Sequence, residues 1–277
     1  MTQAGSSGCT PVFERLLITG AAGGLGCVLR PRLAAHCRVL RLSDIAPLQP
    51  PEAQAHEEIV PGDLQDAQAV MRMVQGVQAI VHLGGVSTEQ PWAPILAANV
   101  VGMVNLYEAA RIHQVRRIVF ASSNHVMGFY RQGQIIDAQS PPRPDGFYGL
   151  SKAFGEDVAQ MYWHRWGIET VSLRIGSSFA QPRDRRMLST WLSYDDLYRL
   201  VVASLGATDV GHTIVYGASN NRELWYDNHL ARHIGFEPQD SSEEFRREVL
   251  ARSAPQDPHD PAVMYQGGAF VKASPHG

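Results

Sequence analysis

The sequence predicts an α/β fold in which a doubly wound parallel sheet is followed by a small C-terminal cap. Three observations predict it. Short apolar runs alternate with segments of helical spacing, glycine or polar residues end the runs, and the alternation stops beyond residue 178. This order is typical of parallel sheets with right-handed crossovers. Ligands of such sheets bind at the carboxyl ends of the strands, so functional residues should follow the strands directly.

The predicted elements follow one another in order along the chain. Strand-like runs occupy the ranges 15–19, 38–44, 78–85, 116–123 and 169–177, with a further strand before 62–64. Helical spacing marks the ranges 24–36, 67–76, 94–113 and 147–166. Residues 1–14 are expected to form a disordered leader. Residues 179–277 read as loops and shorter elements, and we expect them to form a small substrate-binding cap packed on the same domain.

Composition excludes several functional classes. The chain has 277 residues and a formal net charge of −3, which gives no electrostatic reason to expect nucleic acid or an anionic membrane as partner. No apolar run approaches the roughly 20 residues that cross a bilayer, and the first residues lack the basic and apolar regions of a secretory signal. Cys9, Cys27 and Cys37 have no metal-binding spacing and suit a reducing compartment. We therefore expect a cytoplasmic protein.

A glycine-rich turn follows the first strand and opens the first helix. Gly20, Gly23 and Gly26 have the spacing GxxGxxG, which lets backbone N–H groups approach a pyrophosphate at a helix N-terminus. Asp44 ends the next strand, where a carboxylate can accept hydrogen bonds from both adenosine ribose hydroxyls and repel a 2′-phosphate. Residues 15–178 are therefore predicted to form a Rossmann-like domain that binds NAD rather than NADP. The alternative for Asp44 is a solvated acid or a helix cap.

Two further segments are predicted to line the cofactor. Asp63 follows the third strand and could contact the adenine edge, although an ordinary surface acid is a serious alternative. The segment His-Leu-Gly-Gly at 82–85 follows the fourth strand, where small residues let the backbone pass close to a cofactor. An ordinary turn is the alternative for this segment.

Tyr148 and Lys152 are four residues apart at the start of an amphipathic helix. Residues at this spacing share one helix face. A nearby ammonium, together with a positively charged nicotinamide ring, would lower the pKa of the tyrosine from about 10 towards the working pH. Tyr148 is therefore the predicted general base, and Lys152 is also predicted to hold the nicotinamide ribose. The alternative, a packed tyrosine beside a solvated lysine, is weakened by the glycine turn upstream.

Ser122 and Ser123 close the fifth strand about 25 residues before the tyrosine. A hydroxyl at that position can hydrogen-bond the substrate oxygen that loses its proton. Ser123 is therefore predicted to complete a catalytic set with Tyr148 and Lys152.

Together these motifs resemble the extended short-chain dehydrogenases/reductases, the NAD-dependent epimerase/dehydratase family, over roughly residues 15–178. That family places an asparagine on the helix after the fourth strand, and Asn99 matches it. The resemblance implies NAD as cofactor. The implied cofactor-binding residues are Gly20, Gly23, Gly24, Leu25, Gly26, Asp44, Ile45, Asp63, Leu64, Leu83, Gly84, Gly85, Asn99, Lys152 and Ile175.

Longer segments resemble the bacterial uronate dehydrogenases within that family, over nearly the whole chain after the leader. These segments are HLGGVSTEQPW, FASSNHVMGFY, RPDGFYGLSKAFGE, RIGSS, RRMLSTWLSYDD and YQGGAF. The resemblance implies oxidation of galacturonate or glucuronate at C1 with NAD, giving the aldarolactone. It does not indicate which of the two sugar acids is preferred or which lactone is released.

A uronate carries a carboxylate, so a fixed cation should bind it. Arg186 is the predicted partner because guanidinium can bind a carboxylate through two parallel hydrogen bonds, with Arg183 and Arg185 as alternatives. The resemblance implies further substrate contacts from Ser87, Ser123, Asn124, His125 and Ser177. For His125 the alternative is a histidine outside the substrate's contact shell. The chemistry requires no metal, and the scattered histidines suggest none.

Two rival functions share parts of this pattern. A sugar-nucleotide epimerase or dehydratase would use the same serine, tyrosine and lysine, but only about 100 residues follow the last predicted strand, which favours a small substrate. A non-catalytic NAD-sensing protein would not need Tyr148, Lys152 and Ser123 together. The helices predicted at 94–113 and 147–166 are the ones with which this fold often dimerises, so we expect a homo-oligomer.

Overall fold

A seven-stranded parallel sheet forms the centre of the molecule. The computed structural model describes residues 13–50 and 56–273. The sheet has the strand order β3-β2-β1-β4-β5-β6-β9, and every neighbouring pair in it is parallel. The strand bounds are β1 Phe13–Thr19, β2 Cys37–Ser43, β3 Glu57–Ile59, β4 Ala79–His82, β5 Arg117–Ser123, β6 Glu169–Ile175, β7 Ser177–Ser178, β8 Trp191–Leu192 and β9 His212–Gly217. The predicted doubly wound α/β sheet is confirmed.

Helices cover both faces of this sheet. Their bounds are α1 Gly24–Leu33, α2 Ala67–Val74, α3 Trp92–Ile95, α4 Gly102–Ile112, α5 Phe147–Trp166, α6 Met187–Thr190, α7 Tyr194–Gly206, α8 Arg246–Arg252 and α9 Pro261–Met264. Apolar residues of α1 and α7 pack on one face of the sheet, and those of α2, α4 and α5 pack on the other. Two cores on opposite faces are the expected consequence of strands buried on both sides.

The structure differs from the predicted boundaries at two places. Phe13 and Glu14, assigned to the disordered leader, are the first residues of β1, and the rest of the leader lies outside the described residues. The range 179–277, assigned to the cap, supplies the edge strand β9 and the helix α7 that packs beneath the sheet. The long connection between β6 and α7 interrupts the strand–helix alternation, so the sequence pattern hid the seventh strand.

The segment from Trp92 to Ile112 is one continuous helical stretch in which a π-turn, Leu96–Val101, joins α3 to α4. Although the sequence leads us to expect no apolar run of this length, this stretch is the one, among the described residues, that is long and apolar enough to cross a membrane. Its inward residues Met103, Leu106 and Tyr107 have almost no exposed surface and belong to the core that α2 and α5 share. Such packing is that of a core helix in a globular domain.

The last described residues return to the carboxyl end of the sheet. Gln266 donates its backbone N–H to Tyr130 O, and Gly267 donates to Gly128 O. A short 3-10 helix, Gly268–Lys272, follows. The segment 265–270 therefore lies against the loop that follows β5, which is where the sequence predicts catalytic and substrate-binding residues.

Candidate active site

Tyr148, Lys152 and Ser123 lie together at the carboxyl end of the sheet. Tyr148 is in the first turn of α5 and is 7% exposed, and the Ser123 side chain is close enough to favour the ionised form of its hydroxyl. Lys152 lies one turn later, and its Nζ donates a 2.8 Å hydrogen bond to Ala121 O. Ser122 turns to the other side, where its hydroxyl donates to Glu156 at 2.6 Å. Of the two serines, only Ser123 can therefore share a ligand with the tyrosine.

Burial dominates the protonation of this group in the protein alone. It raises the pKa of Tyr148 to about 12, against the smaller lowering effect of the Ser123 hydrogen bond. It also lowers the pKa of Lys152 to about 8. The Lys152 ammonium is 5.7 Å from the centre of the Tyr148 ring. Lys152 therefore does not by itself lower the pKa of Tyr148, and a lowering by the charge of the nicotinamide ring stays a prediction.

Glu89 fixes the beginning of the catalytic helix. Its carboxylate accepts hydrogen bonds from Phe147 N at 2.9 Å and from Tyr148 N at 3.0 Å. A carboxylate at a helix N-terminus satisfies free N–H groups and interacts favourably with the helix dipole. The loop that follows β4 and the backbone of Tyr148 are therefore held as one unit.

Asn99 makes a second connection between this loop and α5. It lies in the π-turn, accepts from Val86 N at 2.8 Å, and donates to Val86 O and to the Ser151 hydroxyl. Ser151 in turn donates to Tyr148 O at 2.7 Å. The sequence predicts that Asn99 contacts the cofactor. In the structure its side-chain amide hydrogen-bonds the loop after β4 and α5. Any contact with the cofactor stays a prediction.

The glycine turn brings two loops into backbone contact. Gly20 has a φ of +69°, and a Cβ on it would lie 2.7 Å from Gly84 N and from Leu83 C. Only a residue without a side chain fits that approach. The ends of β1 and β4 are thereby held close together, which forms the floor of the predicted cofactor site.

The N-terminus of α1 is open towards that floor. Gly23 is the N-cap residue of α1 and makes no side-chain cap hydrogen bond. The first turn of the helix contains no acidic residue. In contrast, Asp66 caps α2 and Ser193 caps α7. An uncapped helix N-terminus after a glycine turn suits an anionic pyrophosphate. The residues present therefore fit the diphosphate of a dinucleotide.

Asp44 follows β2 beside this turn. One carboxylate oxygen accepts from Ala22 N and the other from Ala46 N, both at 2.9 Å. The glycine turn itself therefore orients the carboxylate, and each oxygen retains a lone pair for a ribose hydroxyl. This arrangement fits the predicted preference for NAD.

The other predicted cofactor residues differ in their surroundings. Leu64 is buried and packs where Gly84 and Gly102 leave room, and Ile175 ends β6. Ile45 is 78% exposed beside Asp44. The Asp63 carboxylate accepts from the backbone and the side chain of Gln65, so its predicted contact with the adenine stays a prediction.

Arg186 has one unused donor in a buried position. Its Nε donates to Gln266 O at 2.5 Å and its Nη1 to Ser177 Oγ at 3.3 Å. Nη2 is fully buried and has no hydrogen-bond partner among the described residues. Arg183 and Arg185 are exposed instead. Of the three arginines, Arg186 alone offers a fixed, dehydrated donor, which is what a ligand carboxylate requires.

The remaining predicted substrate residues differ in their exposure. Ser177 and Asn124 are both buried. Ser177 hydrogen-bonds Thr190 at 3.0 Å and Asn124 donates to the Tyr226 hydroxyl at 3.3 Å, so these contacts orient both side chains. Ser87 is exposed in the loop after β4. Its contact with substrate stays a prediction.

His125 lies between the catalytic tyrosine and the C-terminal segment. Its ring stacks on Phe270 with centroids 3.8 Å apart, and its centroid is 5.8 Å from that of Tyr148. Nδ1 is 2.6 Å from the buried Asp145 carboxylate. Sequence reasoning missed Asp145, Phe270, Gln266 and Glu89. The available signal was that all four lie within the segments that resemble the uronate dehydrogenases, Glu89 in HLGGVSTEQPW, Asp145 in RPDGFYGLSKAFGE, and Gln266 and Phe270 in YQGGAF.

Known proteins resemble this chain in sequence and in structure. The sequence model of the NAD dependent epimerase/dehydratase family matches residues 16–196. Uronate dehydrogenase of Pseudomonas putida is 59% identical over 96% of this chain and 98% of its own length, and that of Agrobacterium fabrum is 50% identical over 94% and 97%. A solved variant of uronate dehydrogenase from Agrobacterium tumefaciens, complexed with NAD, superposes with a TM-score of 0.92 at 48% identity, covering 95% of this chain and 98% of that chain.

The chain belongs to the NAD dependent epimerase/dehydratase family, among its uronate dehydrogenases. The resemblance seen in the sequence, the oxidoreductase class and NAD as cofactor are thereby confirmed. No group of three or more His, Cys, Asp or Glu side chains that could hold a metal ion occurs within the described ranges.

Proposed function

We propose that this chain oxidises a hexuronic acid, galacturonate or glucuronate, at C1 to the aldarolactone with NAD. The observation that carries the proposal is the buried Nη2 of Arg186, a donor without a partner among the described residues. Its charge acts on His125, whose ring contacts Tyr148. A buried cation near the histidine that contacts the predicted base supports this proposal.

The protein supplies a proton acceptor and an orienting hydroxyl for the C1 alcohol. Tyr148 Oη takes the proton of that hydroxyl, and Ser123 Oγ, which lies beside the tyrosine, donates a hydrogen bond to the same substrate oxygen. The ring oxygen of the sugar stabilises the positive charge that develops at C1. When bound, NAD accepts the hydride from C1.

The protein also holds the two reactants in place. Gly20, Gly23 and Asp44 would hold the diphosphate and the adenosine ribose, and Lys152 would hold the nicotinamide ribose. Arg186 would bind the C6 carboxylate of the substrate, and the orientation of its guanidinium is already set by Gln266 O and Ser177. Pre-oriented groups lose less freedom on binding, which favours the reactive geometry.

The site favours a free sugar acid over a sugar nucleotide. A nucleoside diphosphate would bring two phosphates, whereas Arg186 offers one unsatisfied buried donor. The segment 265–270 also packs against the loop after β5 and covers Arg186 and His125. The epimerase or dehydratase alternative is therefore not favoured.

The test is formation of NADH at its absorbance band with galacturonate, glucuronate, galactose, glucose and a UDP-sugar, for the wild type and for Arg186→Ala. A hydrogen bond to a charged group is worth about 1.5–3 kcal/mol. We therefore expect kcat/KM for the uronates to fall about 10- to 100-fold, and that for the parent sugars to fall much less.

Arg186→Lys and Arg185→Ala are the controls. Lysine should restore only part of the activity because a point charge cannot form two parallel hydrogen bonds. Arg185→Ala removes an exposed arginine from the same loop and should leave kcat/KM unchanged. Equal loss on acids and parent sugars in Arg186→Ala would mean that Arg186 acts structurally, and turnover of the UDP-sugar alone would overturn the proposed function.

A homo-oligomer located in the cytoplasm is also proposed. Apolar side chains are exposed on the two helical stretches predicted to dimerise: Leu96, Val101, Val104, Leu150 and Met161. Apolar surface shared by neighbouring helices is typical of an interface. Sedimentation equilibrium of the wild type and of Val104→Glu should show a dimer or larger assembly that the charge weakens, and a wild-type monomer would contradict the proposal.

A further inference from the structure

Asp145 is a buried carboxylate beside the active site. It precedes the catalytic helix by two residues, and its side chain has no exposed surface. Oδ2 is 2.6 Å from His125 Nδ1, and Oδ1 has no hydrogen-bond partner among the described residues. A buried carboxylate with a single partner is costly, so its retention at this position calls for a role.

Three glycines from separate elements leave the space that this carboxylate fills. A Cβ on Gly128 or on Gly267 would lie 2.0 Å from Asp145 Oδ2, and one on Gly149 would lie 3.1 Å from Oδ1. Gly128 belongs to the loop after β5, Gly149 to α5 and Gly267 to the C-terminal segment. The carboxylate therefore occupies the point where all three parts of the substrate site meet.

We propose that Asp145 is a positioning residue that keeps the proton of His125 on Nδ1, so that Nε2 accepts a hydrogen bond from a substrate hydroxyl. The inference deepens the proposed oxidation of hexuronic acids and rests on it. An ionised carboxylate can only accept a hydrogen bond, so the ring nitrogen that faces it must donate. In a neutral imidazole the other nitrogen is then the acceptor.

The orientation of the ring leaves Nε2 for a ligand. Phe270 stacks on one face of His125 at 25° between the planes, and Tyr148 meets the ring at 61°. No described residue hydrogen-bonds Nε2. The histidine is therefore held at its Nδ1 edge and across its face, and its ring is next to the tyrosine that would contact the C1 oxygen.

Charged groups from every neighbouring element act on this histidine. Burial, the largest effect, and the Arg186 guanidinium lower the pKa of His125, whereas Asp145 and Glu89 raise it, and the net direction is downward. In the protein without cofactor, Tyr148 contributes no charge near pH 7, because burial raises its pKa to about 12. The imidazole is therefore neutral at working pH. Acid converts Nε2 into a donor, and the proposed acceptor is then lost.

The decisive variant is Asp145→Asn. Asparagine has the same shape, but its amide donates to Nδ1 and thereby moves the histidine proton to Nε2. Two donors would then meet at the substrate, so kcat/KM for the uronate should fall about 10- to 100-fold, mainly through a higher KM. The KM for NAD should not change. Because Nε2 then carries a proton at every pH, the acid limb of kcat/KM that His125 causes should disappear.

The chain offers a matched control in a second pair of the same kind. His229 Nδ1 is 3.0 Å from Asp227 Oδ2, and both side chains are exposed. Asp227→Asn should leave kcat/KM and its pH profile unchanged. In a His125→Asn background, Asp145→Asn should cause no further loss. A full second loss there would show that Asp145 acts on another group, and would overturn the proposal.

Nitrogen NMR of the histidine rings gives a readout that does not depend on turnover. The His125 signal, assigned by its absence in His125→Asn, should show the proton on Nδ1 in the wild type and on Nε2 in Asp145→Asn. A wild-type proton on Nε2, or more than half of the wild-type kcat/KM in Asp145→Asn, would overturn the proposal. Failure of the wild type on every uronic acid would instead overturn the proposed function, whatever the tautomer.

Discussion

The cofactor half and the substrate half of the site are built in different ways. The cofactor half uses main chain: the turn at Gly20, the uncapped N-terminus of α1 and the close approach of the loop after β4. The substrate half uses side chains that meet from distant parts of the chain, as Arg186 and Gln266 do across 80 residues. The first half follows from local backbone conformation, whereas the second exists only once the whole chain has folded.

The two halves therefore differ in the substitutions that they tolerate. A main-chain site is sensitive to an added methyl group, because the space it would occupy is already backbone. A side-chain site is sensitive to the loss or reversal of a single polar atom, while the fold around it persists. Substitutions in the two halves should reveal this contrast.

Tyr148→Phe removes one oxygen from the substrate half. Proton transfer by a positioned side chain contributes typically 10²- to 10⁴-fold, so we expect kcat to fall by roughly that factor. The ring still packs, so NAD affinity measured by fluorescence quenching should be nearly unchanged. A variant that keeps more than about a tenth of the wild-type kcat would contradict the assignment of Tyr148 as the base.

Gly20→Ala adds one methyl group to the cofactor half. The new Cβ would lie 2.7 Å from the backbone of Leu83 and Gly84, at a φ of +69°. We expect a loss of about 1–3 kcal/mol in the free energy of unfolding, with weaker NAD binding, because the two loops must separate. Urea unfolding measures the first and calorimetric titration the second.

Gly24→Ala is the matched control for that substitution. Gly24 is in the same turn, but a Cβ on it would meet no atom within 4 Å. Its free energy of unfolding should therefore be unchanged or slightly higher, since alanine favours a helix. Equal destabilisation by both variants would mean that the turn is sensitive for a reason other than backbone contact.

Asp44→Asn alters the carboxylate that follows β2 in the proposed cofactor half. The negative charge that repels a 2′-phosphate is lost, so the ratio of kcat/KM for NAD to that for NADP should narrow, by about tenfold. The amide keeps an oxygen for Ala22 N or Ala46 N, and the fold should be retained. Equal use of both cofactors by the wild type would contradict this interpretation of Asp44.

Lys152 lies between the two halves, and its burial should appear in the stability of the cofactor-free protein. Its folded pKa of about 8 is below its ordinary value of 10.5. Between these values the unfolded chain binds more protons, so the contribution of Lys152 rises with pH and is lost as pH falls through about 8. The slope is at most about 1.4 kcal/mol per pH unit.

Urea unfolding of wild type and Lys152→Met from pH 8 to 10 checks this slope. Burial raises the pKa of Cys37 to about 11, so its contribution to the free energy of unfolding falls as pH rises. This contribution is the same in both proteins and cancels when their free energies of unfolding are subtracted. The free energy of unfolding of the wild type minus that of Lys152→Met should increase with pH. A difference that stays constant across the range would mean that Lys152 is as well solvated as in the unfolded chain.

The fold and the cofactor half could be predicted because their signals are local in sequence. The glycine spacing, the acid after β2 and the tyrosine–lysine pair each lie within one or two adjacent elements. The edge strand β9 falls within the predicted cap, because the loops and short elements of residues 179–193 break the alternation before it. Its alternating sequence His-Thr-Ile-Val-Tyr-Gly was the available signal.

The supporting residues of the substrate half could not be predicted in the same way. Glu89 meets Tyr148 across 59 residues, and Gln266 meets Arg186 across 80. No periodicity in the sequence relates positions at such distances, since the contacts depend on where two loops and a C-terminal segment end after the sheet forms. Asp145 lies near Tyr148 in sequence, yet its partner is identified only by the packing of three glycines around it.

The contact between Glu89 and α5 has a consequence for how this site can diversify. Gly146 has extended backbone, which any residue can adopt, but a Cβ on it would lie 2.3 Å from Glu89 Oε2. A side chain at position 146 is therefore compatible only with a shorter residue at position 89. Among related sequences the two positions should covary, and an intermediate that changes position 146 first should pass through a less active form.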